Sequence, residues 1–175
     1  MRKLLGVALV VALCAPLSAF GSIIVDFDDL VGQAQVPDGY GGIADWGAWT
    51  YYDWDQPPYN PHSPPCRVYN TVDGVFGFDS DVVFEGAWFA GYGTQDGFSV
   101  VYFELYDDNA LVHTSGSVDP SATPQWLGSG YTGMVDEVKV VGYYGFFVMD
   151  DVQYVPEPAS LSLLALGGLA LLRRR

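Results

Sequence analysis

The chain has 175 residues, 21 of them acidic and only 7 basic, for a formal charge of −14 at neutral pH. Between Ser22 and Pro156 the imbalance is steeper: 20 acidic residues face only Arg67 and Lys139, which leaves −18. Such a surface repels nucleic acid and anionic lipid and suits neutral glycans, cations or basic partners. High acidity also fits disorder, but 12 Tyr, 10 Phe and 5 Trp argue for a packed core.

The chain opens on Arg2 and Lys3, followed by an uncharged apolar run from Leu4 to Leu17. Ala19-Phe20-Gly21 then fits a small-residue cleavage site before Ser22. These parts predict a signal peptide over residues 1–21, handled by the general secretion machinery and removed on export. Leu13 before Cys14 argues against lipidation. Loss of the signal leaves Cys66 as a single thiol, with no intramolecular disulfide available; burial is the expectation.

Residues 22–154 read as one domain built of β-strands. Ile23 to Phe27 is an opening strand, Gly32 to Asp45 is rich in turns, and Trp46 to Trp54 is aromatic and extended. Five prolines make Gln56 to Pro65 a long irregular loop. Short strands are expected at Arg67–Tyr69, Val75–Phe78, Val82–Phe84 and Ala87–Tyr92. Phe98 to Tyr106 alternates, with Val101, Phe103 and Leu105 on one face. The turn Asp107-Asp108-Asn109-Ala110 returns it into Leu111–Ser115. Val135–Val141 and a closing strand Phe146–Val155 complete the domain. No internal stretch has helical periodicity. The pattern predicts an all-β fold, a jelly-roll-like β-sandwich whose ends lie close together.

At the far end, Val155-Pro156-Glu157-Pro158-Ala159-Ser160 precedes an apolar run from Leu161 to Leu172 and then Arg173, Arg174 and Arg175. Two prolines interrupt regular structure. The leucine-rich run suits a transmembrane helix, and the arginines hold its end in the cytoplasm. This order of parts resembles the PEP-CTERM sorting signal of exopolysaccharide-producing Gram-negative bacteria, also described as an ice-binding-protein C-terminal domain. The resemblance covers residues 155–175, with Pro156, Glu157, Pro158 and Arg173 to Arg175 as the sorting motif. It implies recognition by an exosortase, a membrane cysteine protease. A membrane-anchored precursor would then be processed to the cell surface or the extracellular matrix, a biofilm context.

Two constellations in the domain carry candidate chemistry. The first is aromatic: Trp46, Trp49, Tyr51, Tyr52, Trp54 and Tyr59. Aromatic rings stack on the flat C–H faces of sugars while Asp53, Asp55, Gln56 and Asn60 offer hydrogen bonds, so Trp49, Tyr51, Trp54 and Tyr59 are candidate ligand-binding residues. Simple packing is the competing reading, because large aromatics dominate β cores. The second is acidic: Asp26 and Asp28 on the opening strand, Asp150 and Asp151 on the closing one. If these strands pair, the four carboxylates gather as candidate ligands of a structural calcium; solvation and turn capping are the alternative.

No catalytic residue stands out. His62 reads as an exposed loop residue and His113 as a core or edge histidine, and neither lies in a metal or triad motif. Gly128-Ser129-Gly130 lacks the nucleophile-elbow spacing. The sequence thus points to a non-enzymatic surface or matrix protein associated with exopolysaccharide. An extracellular glycan hydrolase or lyase and a purely structural coat protein stand as alternatives.

Overall fold

A computed structural model describes residues 21–71, 74–92, 100–142 and 147–157. Most of the expected signal peptide and the apolar run with its three arginines lie outside the described residues. Among those described, no helix is long and apolar enough to cross a membrane.

The fold is all-β, as the turn-punctuated apolar pattern requires. Among the described residues ten strands follow in order: β1 (Ile23–Val25), β2 (Gln33–Gln35), β3 (Thr50–Tyr52), β4 (Arg67–Tyr69), β5 (Gly74–Gly91), β6 (Val101–Asp107), β7 (Ala110–Val118), β8 (Gln125–Gly128), β9 (Val135–Val141) and β10 (Phe147–Pro156). Instead of two separate sheets, they form one hydrogen-bonded sheet in the order β2-β3-β4-β10-β5-β9-β6-β7. β1 joins β10 and β8 joins β5 outside that path, and every pairing is antiparallel.

β5 is the organising strand. The sequence suggests three short strands here, Val75–Phe78, Val82–Phe84 and Ala87–Tyr92. The backbone runs through as one strand of 18 residues, with an irregular register against β9 between Gly77 and Val82. Its first part pairs with β9, and its later part pairs with β10 on one edge and β8 on the other. The sheet curls, so that Phe103 of β6 meets Phe84 and Phe89 of β5 at ring distances of 4.9 and 5.6 Å. Val101, Phe103 and Leu105 are fully buried, the face that alternation predicts. Asp108 and Asn109 both adopt positive φ, the requirement of a two-residue hairpin turn with the hand that suits twisted strands.

The first and last strands pair antiparallel, with Ile23 opposite Tyr154 and Val25 opposite Val152. β10 runs on to Pro156, opposite Val82, and the Glu157 N–H donates to the Asp81 carbonyl at 3.3 Å. The final strand therefore enters the Pro-Glu-Pro segment.

Candidate functional site

The site grows from period-2 alternation in β3 and β4. Directly opposed residues of neighbouring strands share a face. Gln33 pairs with Tyr52, and Tyr52 with Arg67; Thr50 pairs with Tyr69. These residues point away from the core. Ala34, Tyr51 and Val68 form the inward row, with Val68 fully buried. On the next strands, Met149 pairs with Val68 on the inner face, so Val148 and Asp150 face outward, as do their partners Ala90 and Trp88.

The outer face holds an open groove of about 340 Å³, at the low end of the range for small-ligand sites. Tyr52, Ala90 and Val148 form a small apolar cluster against which Tyr59 and Tyr69 pack. Trp54, Gln33, Gln56, Thr71 and Phe147 complete the lining, which among the described residues holds no charged side chain. The rings brace one another: Tyr52 lies 5.0 Å from Trp54 and 5.6 Å, edge-on, from Tyr69. Gln33 Nε2 donates to the Tyr69 hydroxyl oxygen at 2.8 Å, which leaves that hydroxyl's own proton to be donated elsewhere. Burial raises the pKa of Tyr52 against the opposing pull of Arg67, and burial raises that of Tyr59 with help from Tyr92. Both phenols therefore act as neutral donors at physiological pH.

Arg67 secures this wall from below. It is 2 % exposed, and its guanidinium lies 4.1 Å from the centre of the Tyr52 ring, a cation–π arrangement. Nη2 donates to the Trp54 carbonyl at 2.6 Å and Nη1 to the Pro65 carbonyl at 3.1 Å. One side chain thereby ties together the two ends of the proline loop that carries Gln56 and Tyr59.

The aspartates fasten the same loop. Asp150 accepts from Ser63 N–H at 2.9 Å through one oxygen and from Asp151 N–H at 2.8 Å through the other. Asp151 accepts from the Ser63 hydroxyl at 2.9 Å and bonds to His62 Nδ1. The His62 ring stacks on Trp88 at 3.7 Å with 9° between planes. His62 is an exposed loop residue, as expected, and is nonetheless held in place, because the loop folds back over β10. Burial, with a smaller push from Asp151, raises the Asp150 carboxyl to about 8 against the lowering effect of the Ser63 N–H. The Ser63 hydroxyl thus points at Asp151, with Asp150 at 3.5 Å.

The expected sites separate under this geometry. Trp54 and Tyr59 come together in the groove. Trp49 does not: it is fully buried, packed with Trp46, Phe76 and the rest of the core. Tyr51 also turns inward and packs against that core, since it alternates with Tyr52. Tyr69, Gln33 and Thr71 complete the site beyond the sequence candidates. Tyr69 follows the proline loop, and only the β3–β4 register brings it to Tyr52. Asp28 accepts from Cys66 N–H at 3.4 Å, and Asp26 from Asp28 N–H at 3.3 Å. Burial raises the Asp28 pKa, and the charges of Asp26 and Asp151 add to the effect. Among the described residues, no group of three or more His, Cys, Asp or Glu side chains is arranged to hold a metal ion. Cys66 is a buried free thiol, raised to about 11 by burial. His113 stacks on Tyr131 at 5.2 Å.

No curated protein and no solved structure matches the chain. The family model described as the PEP-CTERM protein-sorting motif matches residues 155–175. The chain therefore carries a PEP-CTERM protein-sorting motif, which marks it as an exported, surface-directed protein sorted by an exosortase.

Proposed function

We propose that the domain is a non-enzymatic surface or matrix module that holds exopolysaccharide, and that the neutral aromatic groove is where it does so. The carrying observation is the groove itself. Tyr52, Trp54, Tyr59 and Tyr69 offer ring faces, and Gln33, Gln56 and Thr71 offer hydrogen bonds, with no charge to desolvate among the described lining residues. Sugar rings present C–H faces to aromatic rings and hydroxyls to amides, so this lining suits an uncharged glycan. A domain of −18 adds a field that disfavours polyanionic chains. In this reading the precursor is held in the inner membrane of a Gram-negative cell by residues 161–175 until the exosortase acts.

The test uses the exported protein and the host's own exopolysaccharide. Retention on the polymer is measured together with the appearance of new reducing ends. Retention without new ends is expected. New ends would replace the reading with a hydrolase or lyase, and neither signal would leave a structural coat protein.

A further inference from the structure

A second aromatic surface stands on the same face of the sheet, outside the groove. In the β5–β8 pair, Gly86 lies opposite Gly128 and Trp88 opposite Trp126. Gly86 has φ 148, and a Cβ there would collide with the Leu127 carbonyl oxygen and lie 2.8 Å from Trp126 Cζ2. A Cβ on Gly128 would lie 3.3 Å from Trp126 Nε1. The indole therefore leans along the strand across two residues that have no side chains. Trp126 remains 39 % exposed. Trp88 supports it from the side at 5.9 Å, and His62 occupies a face of Trp88. A flat ring laid on a glycine floor, with its neighbour already covered, has an open face and little freedom to collapse.

Trp126 shares the outer face with Trp88, Ala90, Val148 and Tyr69, by the registers given above. Three strand spacings of ~4.8 Å, β8 to β5 to β10 to β4, and two residues of ~3.4 Å along the strand place it about 16 Å from Tyr69. We propose that Trp126 is a second stacking subsite for the same neutral glycan chain whose other part lies in the groove. The inference rests on the groove reading and adds to it that the ligand is a chain longer than the groove. One occupant fits both surfaces because they lie on the same side of the sheet, with His62 and Ser63 of the proline loop over the row between them, and the strongly acidic domain favours an uncharged chain at each. Gln125 and the buried Leu127 flank the indole in sequence, so its strand neighbours add no exposed apolar side chain of the kind that a protein partner requires. Two linked contacts on one chain raise affinity by effective concentration, without further contacts.

The test compares wild type, Trp126→Ala and Trp54→Ala on intact host exopolysaccharide and on size-graded fragments of it. Fragments that only fill the groove should bind wild type and W126A equally. Long fragments and intact polymer should bind W126A roughly tenfold more weakly, the scale of one lost stacking contact, while W54A weakens every length. Trp126→Phe, which keeps a flat ring, should recover most of the loss, and all variants should melt like wild type. Polymer but not short fragments should also shield Trp126 from oxidation by N-bromosuccinimide. Wild-type binding of the intact polymer by W126A, with W54A still impaired, would overturn the second subsite and leave the groove standing. Unimpaired binding by W54A would overturn the groove reading itself.

Discussion

The two faces of the sheet are both aromatic, yet they do opposite things. On the inner face Trp46 sits 5.3 Å from Phe76 and Phe27, and Trp49 closes the same cluster with no exposed surface. On the outer face Trp54 is 45 % exposed and Tyr92 48 %, and Tyr52 and Tyr69 are braced by a buried guanidinium and a glutamine. Residues only a few positions apart in 46–54 thus end in a dry core or at an open groove. Residue type does not decide between these fates. Within β3 parity does, because each step reverses the side chain; Trp46 has the parity of Tyr52 and Trp54 but lies before the turn at Gly47, which returns it to the core beside Trp49.

That contrast predicts the largest effect. Trp49→Ala should cost about 3–5 kcal/mol of stability by opening a core cavity, and Trp54→Ala less than about 1, both read from urea unfolding. Trp49→Phe sharpens the comparison, because the indole N–H of Trp49 is buried without a hydrogen-bond partner; its cost should be far smaller than that of the alanine. Equal losses for the two alanine variants would mean that both faces are core.

The second effect concerns the fastening of the loop to the outer face. Asp150 binds its proton up to about pH 8 in the folded protein, against a usual carboxylate value near 4. Between those limits the folded state holds a proton that the unfolded state has released, so stability falls as pH rises through the window and levels off above it. Each tenfold gain in proton affinity is equivalent to about 1.4 kcal/mol, so the change amounts to a few kcal/mol. The other acidic groups of the domain contribute a background, and the measurement is therefore the difference in melting temperature between wild type and Asp150→Asn from pH 4 to 9. Wild type should lose its advantage toward high pH; parallel curves would show that the carboxyl does not titrate in this window.

Much of this contrast is legible in the sequence where alternation runs unbroken. Val101, Phe103 and Leu105 are placed on one face by spacing alone, and that face is fully buried; β9 has its expected bounds. Legibility fails at irregularities. The register of β10 against β5 shifts between Asp150 and Tyr154, where Asp151 has φ 45 and Gly86 φ 148, and no periodic pattern announces such breaks. β2 is Gln-Ala-Gln, and β8 holds only Trp126 and Leu127 as apolar residues, so both are too polar and too short to signal a strand. The groove is half visible for a related reason: Trp54 and Tyr59 belong to a local aromatic cluster, but Tyr69 and Gln33 join it only through strand pairing.

A third and smaller effect separates binding from folding within the groove. Tyr59→Ala and Trp54→Ala should each weaken retention on host exopolysaccharide by roughly 1–3 kcal/mol, on the scale of aromatic stacking. Arg67→Met should weaken it too, although Arg67 does not line the groove, because Trp54 and the proline loop lose their common anchor. A loss for Arg67→Met that tracks only its melting temperature would assign the guanidinium to stability alone.

The smallest effect is expected from calcium. A structural ion needs six to eight oxygens with free lone pairs turned to one point. Here both Asp150 oxygens accept backbone N–H groups, Asp151 is engaged by the Ser63 hydroxyl and by His62, and Asp28 accepts from Cys66 N–H. Those donors already compensate the carboxylates that a cation would otherwise gather. A ligand that binds only the folded state raises the melting temperature with its concentration, so the measurement is a thermal melt across millimolar calcium with magnesium as the control. Equal and slight shifts for the two ions are expected, the response of an acidic surface to screening. A rise specific to calcium would show that the ion displaces His62 and Ser63 from the aspartates. The same titration should then loosen the proline loop and alter retention on the glycan, linking the acidic cluster to the aromatic face that it fastens.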